Sequence, residues 1–215
     1  MHFIDSRVRL GPDVKGEWPT DIVKNEPMLY RATFEYAWSF GGPLTRAFLS
    51  ALEADSGHQD WSIDSKVAML MKGWYPCIPG FHHDDVPRNT ESGQPNYVDA
   101  PYRSEHAMML IGDEISRTRF ALGQAYFNES EPGEIAYKKW HPLVDAMTKA
   151  TILTEYHVPM SRIVYFNDRS WHEGTPATGP GWRFFIRAST NTEMPIHNEV
   201  RRQVQVYLEH PMEGW

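Results

Sequence analysis

Apolar residues recur at helical spacing over Leu44, Ala47, Phe48, Ala51 and Leu52, which predicts an amphipathic helix over roughly 44–54. Gly41-Gly42-Pro43 precedes it, and proline suits a first helical turn because the N–H it lacks has no partner there. Elsewhere the chain carries short apolar runs punctuated by Gly, Pro, Asn and Asp. These predict strands at Val67–Trp74, His106–Ile111, Thr118–Leu122, Gln124–Phe127, Arg162–Phe166, Trp182–Ala188 and Gln203–Leu208. Asp85–Tyr102, with Pro87, Pro95, Pro101 and Gly93, reads as a long loop of the kind that binds or covers a ligand. Residues 55–65 read as a polar loop and 139–156 as a helix. Tyr30–Phe40 reads as a strand or short helix, and the remainder of the first 42 residues as irregular. Gly179-Pro180-Gly181 is a turn. Many short strands with one or two early helices imply a mainly β sandwich or barrel with flanking helices.

The 215 residues fit one domain, with 1–66 as a helical buttress and irregular segment and 67–210 as the β core. There is no internal repeat. A net charge of −7 disfavours a broad phosphate-binding face. Aromatic residues make up 13% of the chain, eight of them Trp, which points to a core or pocket walled with rings. The single cysteine, Cys77, excludes an intramolecular disulfide and a Cys-based zinc site. Set in Tyr75-Pro76-Cys77-Ile78-Pro79, it reads as a packed structural thiol. No apolar run approaches the roughly 18 residues of a membrane span, and the N-terminus lacks the basic-then-apolar start of a signal peptide. A soluble, cytoplasmic protein with no membrane partner is the expectation.

The chemistry concentrates at Gly80-Phe81-His82-His83-Asp84-Asp85. On extended backbone, residues two apart share a face, so a divalent metal could take His82 with Asp84, or His83 with Asp85. A third ligand is offered by His172, in Ser170-Trp171-His172-Glu173-Gly174. Two imidazoles and one carboxylate form the facial triad of non-haem Fe(II) oxygenases. Downstream, Trp182-Arg183-Phe184-Phe185-Ile186-Arg187 places Arg183 and Arg187 on one face of an aromatic strand. A buried arginine is costly unless an anion pairs with it, and a bound carboxylate would supply that pairing.

This order of motifs, over roughly residues 67–190, resembles the Fe(II)/2-oxoglutarate-dependent oxygenase superfamily. The resemblance implies a double-stranded β-helix (jelly-roll or cupin-like) core. It makes His82, Asp84 and His172 the iron ligands, with Phe81 ahead of the first ligand favouring this register over His83 and Asp85. It makes Arg183 the residue that binds the distal carboxylate of 2-oxoglutarate, Thr118 a cosubstrate contact and Arg187 a holder of a substrate anion. The implied cofactors are Fe(II), 2-oxoglutarate and O2, and the implied reaction is hydroxylation of an unactivated C–H bond. Halogenation is disfavoured because Asp84 fills the position a halide would need.

A small-molecule substrate, such as an amino acid or natural-product intermediate, suits the acidic charge and aromatic content. A hydroxylase of thymine or methylated bases is the second reading, with Arg88, Arg103, Arg117, Arg119, Lys138 and Lys139 lining a groove. A non-catalytic metal- or ligand-binding β-helix protein is the third. His2, His58, His141, His157, His197 and His210 read as ordinary surface or hydrogen-bonding residues, Trp74, Trp171 and Trp182 as core or pocket wall, and Arg201-Arg202 as a solvated pair.

Overall fold

The computed structural model describes residues 1–57, 59–131 and 133–208. In chain order its elements are β1 (His2–Ser6), β2 (Arg9–Asp13), α1 (Thr20–Asn25), β3 (Met28–Tyr30), β4 (Ala32–Thr33), α2 (Phe34–Phe40), α3 (Pro43–Ser56) and β5 (Ser62–Leu70). There follow β6 (Glu105–Gly112), β7 (Thr118–Phe127), α4 (Ala136–Lys149), β8 (Thr154–His157), β9 (Arg162–Asn167), β10 (Trp171–Gly174), β11 (Gly181–Thr190) and β12 (Glu199–Arg201). The protein is mainly β, and its strands pair antiparallel.

Two sheets face each other. The larger runs β2-β9-β6-β11-β5-β4. In the smaller, β7 is central: β10 and β8 pair with its first half and β1 with its second. The outer face of the larger sheet carries Ile63 and Val67, Met109 and Ile111, and Phe184, Ile186 and Ala188. These pack against Leu44, Phe48, Leu49 and Leu52 of α3. The outer face of the smaller sheet, with Ala121, Phe127 and Trp171, packs on Trp140 and Val144 of α4. Between the sheets, Met108, Leu110, Phe120, Val164 and Phe166 fill one end. The other end is a cavity.

The N-terminus of α3 rests on a device the periodicity did not announce. The buried Glu26 carboxylate accepts hydrogen bonds from the backbone N–H groups of Gly42 (2.9 Å), Leu44 (3.2 Å) and Thr45 (2.9 Å). It satisfies donors that the helix itself leaves unpaired and complements the positive end of the helix dipole.

Several expectations are corrected. The first 42 residues are not irregular: β1 joins the smaller sheet, and β2 and β4 lie at the two edges of the larger. The polar stretch read as a loop over 55–65 begins a strand at Ser62, and that strand stops at Leu70 rather than Trp74. Thr118–Leu122 and Gln124–Phe127 are one strand, continuous through Gly123 at φ +132°. Helix α4 ends at Lys149, and the rest of the 139–156 segment turns into β8. Among the described residues no strand spans 203–208, whose one ladder contact there is the isolated Tyr75–Tyr207 bridge. Tyr30–Phe40 contains the end of β3, all of β4 and α2, and the loop over 85–102 is present as read, apart from an isolated Arg88–Pro95 bridge. His58, His210 and the last two residues of the 67–210 span lie outside the described residues.

Candidate metal centre and cosubstrate pocket

The cavity, of ≈ 280 Å³, lies between the two sheets. From β10, His172 and Gly174 alternate inward while Trp171 and Glu173 point away. His82 meets His172 through an isolated bridge: each donates its backbone N–H to the other's carbonyl, at 3.0 and 3.2 Å. The backbone is close-packed here. A Cβ on Gly174 would lie 2.7 Å from Cys77 Sγ, so the half-buried thiol serves as packing, as its turn context implied.

The two imidazoles are oriented in the same way. His82 Nδ1 lies 2.7 Å from Gly80 O, and His172 Nδ1 lies 2.8 Å from Ser170 O. A carbonyl only accepts, so Nδ1 of each ring carries a proton and Nε2 is the nitrogen left to face a metal. Both Nε2 atoms turn to Asp84, His172 at 3.2 Å from Oδ2 and His82 at 3.8 Å from Oδ1. The ligand atoms of His82, Asp84 and His172 all lie within 4.8 Å of one another. Two imidazole nitrogens and one carboxylate, each imidazole fixed by a hydrogen bond through its other nitrogen, are a donor set that fits a divalent transition metal.

Charge at the centre is set by its surroundings. Burial, reinforced by His172, lowers the His82 pKa to about 4 and keeps that ring neutral. Burial works against ionisation of Asp84, yet Arg187 and then His172 hold its carboxyl well below the usual carboxylate range. The Arg187 guanidinium bonds Asp84, with Asp85 at 3.4 Å and Asp64 at 3.9 Å. Three carboxylates therefore occupy the arginine assigned from sequence to a substrate anion.

His83 turns the other way. Its ring packs on Trp171 with centroids 3.7 Å apart and planes tilted by 35°, and its Nδ1 is hydrogen-bonded to the Tyr97 hydroxyl at 2.6 Å. Asp85, at φ +48°, is engaged by Arg187. The structure thus brings His82, Asp84 and His172 together and directs His83 into the aromatic core.

Arg183 projects from β11 across the gap between the sheets. Its Nε donates to Ser116 O at 3.0 Å and its Nη2 to Thr118 Oγ1 at 3.2 Å. It is buried, and among the described residues no carboxylate lies within ion-pair distance of it. Burial accordingly lowers its pKa to about 10. Thr118 thus positions the guanidinium in the same cavity as the His82–Asp84–His172 group.

Sequence reading missed Asp64 and Lys66 of β5, together with Tyr30 and Arg31, which also line the cavity. Arg201, read as half of a solvated pair, is in the cavity wall and bonds Asp64 at 2.8 Å. The alternation Ser62, Asp64, Lys66 against Ile63, Ser65, Val67 was the available signal. Of the residues read as a basic groove, Arg103, Arg117, Arg119 and Lys139 each have a carboxylate within ion-pair distance. His141 accepts a hydrogen bond from the Phe81 N–H, an ordinary structural role. Among the described residues, no helix is long and apolar enough to cross a membrane. No family model, curated protein or solved structure matches the chain.

Proposed function

We propose that the protein is an Fe(II)- and 2-oxoglutarate-dependent oxygenase that hydroxylates a C–H bond of a small molecule, and that its facing sheets form a double-stranded β-helix. One observation carries this reading: a buried arginine with no acid partner among the described residues shares a cavity with a His-Asp-His group. A buried guanidinium with no anion beside it is costly. The distal carboxylate of 2-oxoglutarate, bound in the fork geometry arginine favours, removes that cost.

In this reading His82, Asp84 and His172 hold iron(II), which supplies the redox chemistry linking O2, the 2-oxo acid and the C–H bond. The overall balance is 2-oxoglutarate, O2 and R–H to succinate, CO2 and R–OH. The chain's own residues do the positioning. The Nδ1–H bonds to Gly80 O and Ser170 O fix both imidazoles. Arg187 keeps Asp84 ionised and restrains its carboxylate. Thr118 and Ser116 aim Arg183. Met108, Phe166 and Phe185 supply the apolar part of the cavity wall.

A cavity of ≈ 280 Å³ suits a small molecule. The nucleobase reading loses support because most of its basic residues are engaged by carboxylates. The test is succinate formation from 2-oxoglutarate in the presence of Fe(II) and O2. Metal-dependent succinate, lost in Arg183→Ala, is expected. No succinate above a metal-free control, with iron bound stoichiometrically, would contradict the reading.

A further inference from the structure

Lys66 lies on the cavity face of β5, in line with Ser62 and Asp64 and paired in register with Phe185. Of the other cations of the cavity wall, Arg31 lies over the Tyr30 ring, 5.1 Å from its centroid, and the remaining three are held by polar partners. Arg187 is held by Asp84, Asp85 and Asp64. Arg201 donates to Asp64 at 2.8 Å and to Leu29 O at 3.1 Å. Arg183 is bound to Ser116 and Thr118 and, in the oxygenase reading, to the cosubstrate. Among the described residues, the Lys66 ammonium has no carboxylate within ion-pair distance and no side-chain hydrogen-bond partner.

The charge balance points the same way. Five cations (Arg31, Lys66, Arg183, Arg187 and Arg201) and three carboxylates (Asp64, Asp84 and Asp85) line the cavity, in a chain whose net charge is −7. A divalent metal and the 2-oxoglutarate dianion cancel. The wall then retains two positive charges for whatever else enters. A cavity of one sign in a protein of the other attracts a ligand of opposite charge. Burial disfavours the Lys66 ammonium, Arg201 and Arg187 add to that effect, and Cys77 and Asp64 offset it only in part, so a ligand oxyanion beside it relieves a real cost.

We propose that Lys66 receives an acid group of the substrate, a carboxylate or phosphate, and is the residue that selects for anionic substrates. This rests on the oxygenase reading for the identity of the reaction, but the anion site itself can be tested without turnover.

The experiment follows the side-chain ammonium signal of Lys66 in 15N-lysine-labelled protein loaded with Zn(II), assigned by its absence in Lys66→Met. Sodium phosphate, sodium acetate and neutral acetamide are titrated, each with and without saturating 2-oxoglutarate. A saturable shift with phosphate or acetate, unchanged by 2-oxoglutarate and absent with acetamide, is expected. Phosphate binding tighter than acetate assigns a phosphorylated substrate, and the reverse assigns a carboxylic acid. Anion affinity measured calorimetrically should fall at least 10-fold in Lys66→Met and be retained in Lys66→Arg, with the thermal midpoint confirming that both fold. No saturable shift with either anion would overturn the proposal. So would loss of anion binding on adding 2-oxoglutarate, because Lys66 would then belong to the cosubstrate site. If 2-oxoglutarate itself fails to bind, the oxygenase reading fails, while anion binding that needs Lys66 still supports the site.

Discussion

His82 and His172, from distant parts of the chain, exchange both backbone hydrogen bonds and present their Nε2 atoms to the same carboxylate. Each ring is locked by its Nδ1–H on the carbonyl two residues earlier. The pair is therefore preorganised, and the order of the motif, with its His-His-Asp-Asp ambiguity, is decided by packing. His82→Ala is expected to weaken Co(II) binding roughly 100-fold or more. His83→Ala should leave Co(II) affinity within about threefold and cost about 2 kcal/mol of stability through lost packing on Trp171. Co(II) titration and urea unfolding of both variants check this. A metal defect in His83→Ala would reverse the assignment.

Arg183 and Thr118 are expected to act as a unit on the cosubstrate. Arg183→Met should weaken 2-oxoglutarate about 100-fold, close to 2.7 kcal/mol, with metal affinity retained. Thr118→Val should cost about fivefold, because it removes a hydrogen bond that aims the guanidinium rather than the charge itself. Calorimetric titration of the Zn(II)-loaded variants with 2-oxoglutarate distinguishes the two sizes of effect.

How much of this was legible in the sequence depends on what each strand faces. Strand β11 was readable because Phe184, Ile186 and Ala188 form an unbroken apolar face and a Gly-Pro-Gly turn precedes them. The start of β5 was not, because its inner face meets a cavity. Ser62, Asp64 and Lys66 alternate with Ile63, Ser65 and Val67, and a strand that is polar toward the interior imitates a loop. Gly123 suggested a break in β7, yet the strand runs through it and exchanges partners there, from β10 and β8 to β1. Val204 and Val206 alternate as in a strand but pack beside Leu70 and Ala177 without a continuous ladder. The metal residues were visible as residue types. The choice between His82 and His83 required Trp171, and the engagement of Arg187 required the positions of Asp64 and Asp85.

Glu26 should be a large single contributor to the stability of the helical layer. Three backbone donors of the α3 N-terminus and its N-cap use that one buried carboxylate. Glu26→Ala leaves them unsatisfied, with an expected loss of about 3 kcal/mol. Glu26→Gln, which keeps an acceptor but not the charge, should lose about 1 kcal/mol. Urea unfolding midpoints are the measurement, and equal effects of the two substitutions would show that the charge is irrelevant.

Acid should destabilise the metal-free protein through His106. It lies between Ser104 and Ser189, and burial lowers its pKa to about 3. An unfolded chain takes up this proton near pH 6.5, the folded one only near 3. Between those values the unfolded state binds more protons, so stability is complete above pH 6.5 and declines as pH falls toward 3. At pH 5 the loss from this group is about 2 kcal/mol. His106→Gln should flatten the decline over that window, although it lowers stability at pH 7. An unchanged slope in the variant would remove His106 as its origin.

The most direct measurement is an anaerobic titration of the Fe(II)-loaded protein with 2-oxoglutarate, followed by visible absorption. A weak, saturable charge-transfer band is expected. It should persist in His83→Ala, be lost in His82→Ala, and require far more cosubstrate in Arg183→Met. Stoichiometric iron with no band at saturating 2-oxoglutarate would contradict a cosubstrate site at this centre and leave a metal-binding protein without the proposed chemistry.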